Sequence, residues 1–78
     1  MPDTPPRYHP ATADQIRAQR GISSAARQYG LLILMWKDDT DTWQAIHGQW
    51  RDGPGWIADP VLTGSPDLPA TPTHWCAA

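Results

Sequence analysis

Four side chains in this sequence have the chemistry of metal ligands: His9, His47, His74 and Cys76. Only His74 and Cys76 are neighbours in the chain. A structural zinc site closes a tetrahedron, as a rule from two tightly spaced ligand pairs. The scatter here predicts no metal site. His47 shares a strand face with Trp43 and Ala45, which reads as a packed strand histidine. A second set is acidic: Asp38, Asp39 and Asp41, with Asp52 on the next turn but one. It lacks the calcium-loop pattern and its closing glutamate. It suits a basic partner better, and a turn rich in Asp for local reasons explains it equally. A third set is basic: Arg17, Arg20 and Arg27, an alternative face for phosphate or an acidic protein. No nucleophile is paired with a base, no two carboxylates frame a cleft, and no glycine-rich phosphate loop occurs. These residues point away from an enzyme and from any cofactor.

The elements that position these groups must come from a short chain. Its 78 residues suffice for one domain, which buries roughly 60% of the surface exposed in the unfolded form. There are five Trp, two Tyr and no Phe, so the core must rest on a few large plates, each with an N–H seeking a partner. A single cysteine, Cys76, makes no internal disulfide, which suits a reducing cytoplasm better than secretion. The start is polar and proline-rich rather than basic then apolar, unlike a signal peptide. The one long apolar run, residues 31–36, is far too short to span a membrane. The net charge of −2 is unevenly spread. Residues 1–37 carry five basic and two acidic side chains, and residues 38–78 carry one and six. Every acid is Asp, a residue that favours caps and turns.

Residues 1–11 hold four prolines and read as an extended arm; residues 12–78 form the single domain. Thr12 with Gln15 makes a capping box, and Asp14 suits the positive end of the helix dipole. A helix is predicted over residues 13–29, with Ala18, Ile22, Ala25 and Tyr29 on one face. Gly21 is its weak point. There it costs about 1 kcal/mol relative to Ala, and it divides the segment into two short helices if Ser23 caps the second. The stretch IRAQRGISSAARQYG matches the first half of a helix-turn-helix, but a recognition helix with polar side chains must follow. The apolar residues 31–36 follow instead. They read as a central strand buried on both faces. A second strand covers residues 42–47, Gly48 marks a turn or bulge, and a third strand starts at Gln49. Asp52-Gly53-Pro54-Gly55 is the strongest turn signal, and Trp56 opens a short extended piece. Prolines at 60, 66, 69 and 72 exclude a central strand beyond that point. The tail is expected to wrap the body until Trp75 docks as a buried plug. The predicted fold is α+β: one helix, or two short ones, on a three-stranded antiparallel meander.

An apolar strand, an acidic turn, Thr42-Trp43, a glycine-flanked Trp50 or Trp56, and Thr73-His74-Trp75 follow one another in this chain. The order resembles a family of short phage and prophage proteins of unknown function, whose members pair a V-L-V strand with a W-x-x-A strand and finish in T-H-W-M-P-L-P. The resemblance covers residues 30–75. It departs where Cys76-Ala77-Ala78 replaces Met-Pro-Leu-Pro, and at the capped helix. It implies a mobile-element origin and no reaction. By analogy it implies a monomeric inhibitor in the bacterial cytoplasm. Its expected partner is a host protein or ribonucleoprotein complex, concretely a CRISPR-Cas effector, whose cationic surface it occupies through Asp38, Asp39, Asp41 and Asp52. Neither a membrane nor direct nucleic-acid contact is part of that expectation. The alternatives are a nucleic-acid-binding regulator acting through Arg17, Arg20 and Arg27, and a structural or interaction module of a phage particle.

Overall fold

A computed structural model describes residues 8–25 and 30–78. The elements in chain order are β1 (His9–Pro10), α1 (Ala13–Ala18), β2 (Arg20–Gly21), a 3-10 turn (Ile22–Ser24), β3 (Leu32–Lys37), β4 (Trp43–Arg51), β5 (Gly55–Ala58), α2 (Pro60–Thr63) and β6 (His74–Ala77). The expected α+β packing of a helix on a three-stranded meander is overturned. The molecule is a small sheet-dominated fold with six antiparallel strands among the described residues, ordered β1-β4-β3-β6-β2, and β5 shares the outer edge of β4 with β1.

The central strand is β3. All of its residues but Lys37 are buried, and they alternate between two apolar layers. Leu32, Leu34 and Trp36 join Ile46 and Ala58 on one side, where Trp56, Leu68, Ala70 and Trp75 pack against them. Ile33 and Met35 join Ala45 and Cys76 on the other, under Ala11 and Ile16. Thus α1 covers one face, while the 3-10 turn and the proline-rich segment cover the other. No helix among the described residues is long and apolar enough to cross a membrane.

The capping box is present: the Gln15 N–H donates to Thr12 Oγ1 at 3.1 Å, and the Thr12 N–H donates to Gln15 Oε1 at 2.9 Å. The helix it starts stops after Ala18. So short a helix has little stability of its own, and Arg20 and Gly21 instead pair with Trp75 and His74. Gly21 therefore does not interrupt a long helix, and the described part of the helix-turn-helix half-match, residues 16–25, is the end of α1, the strand β2 and a single 3-10 turn. Residues 26–29 of the expected helix lie outside the described residues, as do residues 1–7 of the expected arm.

The second and third expected strands are one. β4 runs through Gly48 without a turn, because β5 presses close there. A Cβ on Gly48 would stand 2.6 Å from the Ile57 carbonyl oxygen and against Leu34 Cδ1. The tail departs from the expected course twice. Asp59 caps α2 by accepting from the Leu62 N–H at 3.1 Å, Pro60 takes a first-turn position and Gly64 ends the helix with φ 82°, a helix with proline at its start and glycine at its end. The last residues then form β6, inserted between β3 and β2. Trp75 is half-buried rather than sealed, and its Nε1–H donates to Ser24 Oγ at 3.0 Å.

Candidate binding surface

The acidic set does not form one edge. Asp38 closes the β3–β4 hairpin. Its carboxylate accepts from the Thr40 hydroxyl at 2.7 Å, the Thr42 N–H at 3.0 Å, the Gln44 side-chain amide at 2.8 Å and the Thr40 N–H at 2.9 Å. The Thr40 hydroxyl above all, then the Thr42 amide and Gln44, hold its pKa down at about 2. Its lone pairs serve the turn. Asp41 has φ 63° and lies 3.3 Å from Lys37 Nζ, which offsets its charge. Asp39 is exposed. Asp52 sits past the far end of β4, a strand of nine residues, so about 25–30 Å of strand separates it from the other three.

The basic set is also divided. Arg17 lies on α1 in an exposed ion pair with Asp14 at 3.5 Å. Arg20 stands on β2 opposite Trp75, whose ring packs on the sheet face that α1 does not cover. Arg27 lies outside the described residues. The single helix face that would gather these arginines is replaced by a short helix and a strand.

Register gathers the would-be metal ligands on one side of the sheet without converging them. His9 lies opposite Ala45, and His9 and His47 both line a cleft of about 480 Å³ with Thr12 and Gln15. His47 is exposed there, not packed as its alternation suggested. The Thr12 and Gln15 side chains that face this cleft are already bonded to the helix terminus. His74 packs edge-on against Trp43, with ring centroids 4.9 Å apart, and its Nδ1 is 2.9 Å from the Thr73 hydroxyl. Cys76 is buried beside Ile33, and burial pushes its thiol pKa up, away from the reactive thiolate. Among the described residues no group of three His, Cys, Asp or Glu is placed to hold a metal ion.

The surface with the clearest design lies on the opposite side of the sheet. The turn at Asp52, Gly53 and Pro54 folds β5 back on β4, and this register sets Trp50 directly opposite Trp56. Gly53 and Gly55 have φ values of 100° and 85°, which glycine adopts without steric cost. The two indoles meet edge to face, with centroids 5.2 Å apart and planes at 76°. Trp50 Nε1–H donates to Asp52 Oδ1 at 3.3 Å. Together with Pro54, Leu68, Ala70 and Pro72 the rings line an open groove of about 570 Å³. Asp52 and Asp67 are exposed; Asp52 is tied to the groove by its bond from Trp50, Asp67 precedes the lining residue Leu68 in sequence, and among the described residues none that lines the groove is basic. Of the four acids singled out in the sequence, only Asp52 borders this groove. The Trp pair was absent from the sequence-derived site, yet its signal was there: a strong turn with Trp on both sides.

No family model, no curated protein and no solved structure matches this chain.

Proposed function

We propose that the protein works by binding, as a small non-enzymatic module that occupies a cationic surface of a host macromolecular complex. The Trp50–Trp56 groove is its contact face. The observation that carries this reading is the groove itself: two aromatic side chains held half-exposed by a tight hairpin, on an acid-flanked surface. Aromatic anchors dominate binding energy at protein interfaces, while flanking charge selects the partner and speeds encounter. A CRISPR-Cas effector, the partner implied by the phage-family resemblance, presents a cationic nucleic-acid channel and is the concrete candidate. The division of Arg17 from Arg20 weighs against the nucleic-acid-binding alternative.

Affinity capture from bacterial host lysate tests the reading with three proteins: wild type, Trp50→Ala and the double variant Arg17→Glu/Arg20→Glu, each checked for folding by circular dichroism. One discrete partner retained by the wild type and the arginine variant, and lost by Trp50→Ala, is the expected result. Retention by Trp50→Ala together with loss by the arginine variant would move the site to the basic residues and overturn the proposal.

A further inference from the structure

The two apolar layers of the sheet are covered very differently. On one side Trp56, Leu68, Ala70 and Trp75 close over Leu34 and Trp36. On the other, the cover over Ile33, Met35 and Cys76 is α1 and the residues around it. We infer that residues 12–19 are a strap that lifts from the sheet while the rest of the fold stays closed, opening the layer that holds Met35 and Cys76. The inference stands apart from the binding reading above, since the strap lies on the side of the sheet opposite the Trp50–Trp56 groove.

The strap is tied almost entirely to itself. Among the described residues, no backbone hydrogen bond joins residues 12–19 to the sheet; the Ile16 N–H donates to the Thr12 carbonyl and the Gln19 N–H to the Ile16 carbonyl. The Thr12 and Gln15 side chains serve the helix start, and Arg17 pairs with Asp14. α1 has no buried residue, and Ile16 is its one side chain packed on the apolar layer. A helix of six residues keeps little structure once that contact is lost.

Its ends are held elsewhere. Before it, the Ala11 N–H donates to the Trp43 carbonyl at 2.9 Å, and the Tyr8 ring meets Trp36 with centroids 5.3 Å apart. After it, Arg20 and Gly21 pair with β6, and Ile22 packs with the opposite apolar layer. The middle can therefore leave the sheet without releasing either anchor.

The closed state also carries a polar cost. Gln15, Ile16 and Gln19 are the half-buried residues between Thr12 and Arg20, so two of the three side chains turned inward are amides. Gln19 Oε1 is buried and meets no donor among the described residues. Lifting the strap returns this oxygen to water, which lowers the free energy of the open state relative to the closed one. Thr12 and Gln15 form part of the wall of the cleft of about 480 Å³ whose lining includes Ile33. Opening thus extends that cleft into the apolar layer. Segments with few buried contacts open in this way at a lower free energy than global unfolding.

The test uses the full chain, whose single cysteine makes thiol labelling a report on Cys76 alone. Cys76 is 4% exposed, so a reagent such as dithiobis(nitrobenzoate) reaches it only after an opening. The rate is followed over urea concentrations below the unfolding transition, beside amide exchange. Labelling is expected at least tenfold faster than global unfolding allows, with little urea dependence, because little surface is exposed. Ile16→Ala is expected to raise the rate about tenfold or more, and Gln19→Met to lower it about fivefold or more. Gly48→Ala, which disturbs β5 and Leu34 on the far side, is expected to lower the global midpoint and leave the rate in the absence of urea unchanged. The amides of residues 16–19 are expected to exchange at least tenfold faster than those of β3. Labelling with the full urea dependence of global unfolding, acceleration by Gly48→Ala, or no response to Gln19→Met would overturn the inference, and the last two tests hold even if Ile16→Ala does not fold.

Discussion

Gly48→Ala adds one carbon, and the structure says where it would go. Gly48 sits in the middle of β4, paired with Leu32 on one side and Ala58 on the other. The new Cβ would stand 2.6 Å from the Ile57 carbonyl oxygen and against Leu34 Cδ1. Leu34 has no exposed surface, so it has no open space to turn into. The carbonyl belongs to the backbone of β5, so relief requires that strand to move. Overpacking of this kind costs about 1–3 kcal/mol, and a backbone contact places the cost in the upper half of that range. Removing glycine's extra freedom from the unfolded chain offsets about 0.4–1 kcal/mol. The net expectation is a loss of about 2 kcal/mol, equivalent in a domain of this size to a fall of about 8–16 °C in melting temperature. Urea unfolding followed by Trp fluorescence should show a lower midpoint at an unchanged slope. Because the moved strand carries Trp56, the Trp56 indole resonance should shift as well. An unchanged or raised midpoint would refute the close approach of β5 as the reason for glycine at this position.

Three further outcomes follow from single side chains. Trp75→Ala should cost about 2–3 kcal/mol by thermal unfolding, less than the 3–5 kcal/mol of a fully buried ring, because the indole is half-buried; a loss under 1 kcal/mol would mean the ring does not hold β6 to the turn at Ser24. Asp38 has its folded pKa lowered to about 2 from 3.8, so its contribution is fully present above the unfolded pKa and is lost as pH falls through the folded one; chemical denaturation between pH 5 and pH 2 should show a stability decline that Asp38→Asn flattens, and identical slopes in the two proteins would contradict the assignment. Asp41 has φ 63°, a left-handed conformation that glycine accepts and β-branched residues resist; Asp41→Val should be less stable than Asp41→Gly by about 1–2 kcal/mol, measured by urea midpoints, and parity between them would argue against a left-handed turn.

The parts of the fold legible in the sequence were those with local causes. Residues 31–36 announced a doubly buried strand because no polar residue interrupts them, and β3 is Leu32–Lys37. Thr12 and Gln15 announced a helix start three residues apart. Asp52, Gly53, Pro54 and Gly55 announced a turn, and it joins β4 to β5. The illegible parts depend on distant partners. Nothing near Arg20 and Gly21 indicates a strand, since they become one only when the chain end arrives beside them. The prolines that exclude a strand before residue 72 have no counterpart in residues 74–77, and β6 forms there. Gly48 misled because a glycine in a strand marks either a bend or a close neighbour, and only β5 decides which. The Asp59-Pro60 start and Gly64 stop of α2 are local signals, masked by the prolines that surround them.

The candidate site was illegible for a related reason. A count of aspartates says nothing about which carboxylates are free to meet a partner. Asp38 and Asp52 have the same charge in the sequence, yet the lone pairs of Asp38 are used by Thr40, Thr42 and Gln44, while Asp52 remains exposed with one long contact from Trp50. Asp38 therefore acts on the fold and Asp52 on the surface. Reversing the charge at Asp38 would remove the hairpin's acceptor along with any contact to a partner, so a loss of binding there could not be read as an interface effect. Asp52→Asn keeps an acceptor oxygen for the Trp50 N–H and removes only the charge. This makes Asp52 the acid at which the electrostatics of binding can be separated from the stability of the turn that presents the indoles.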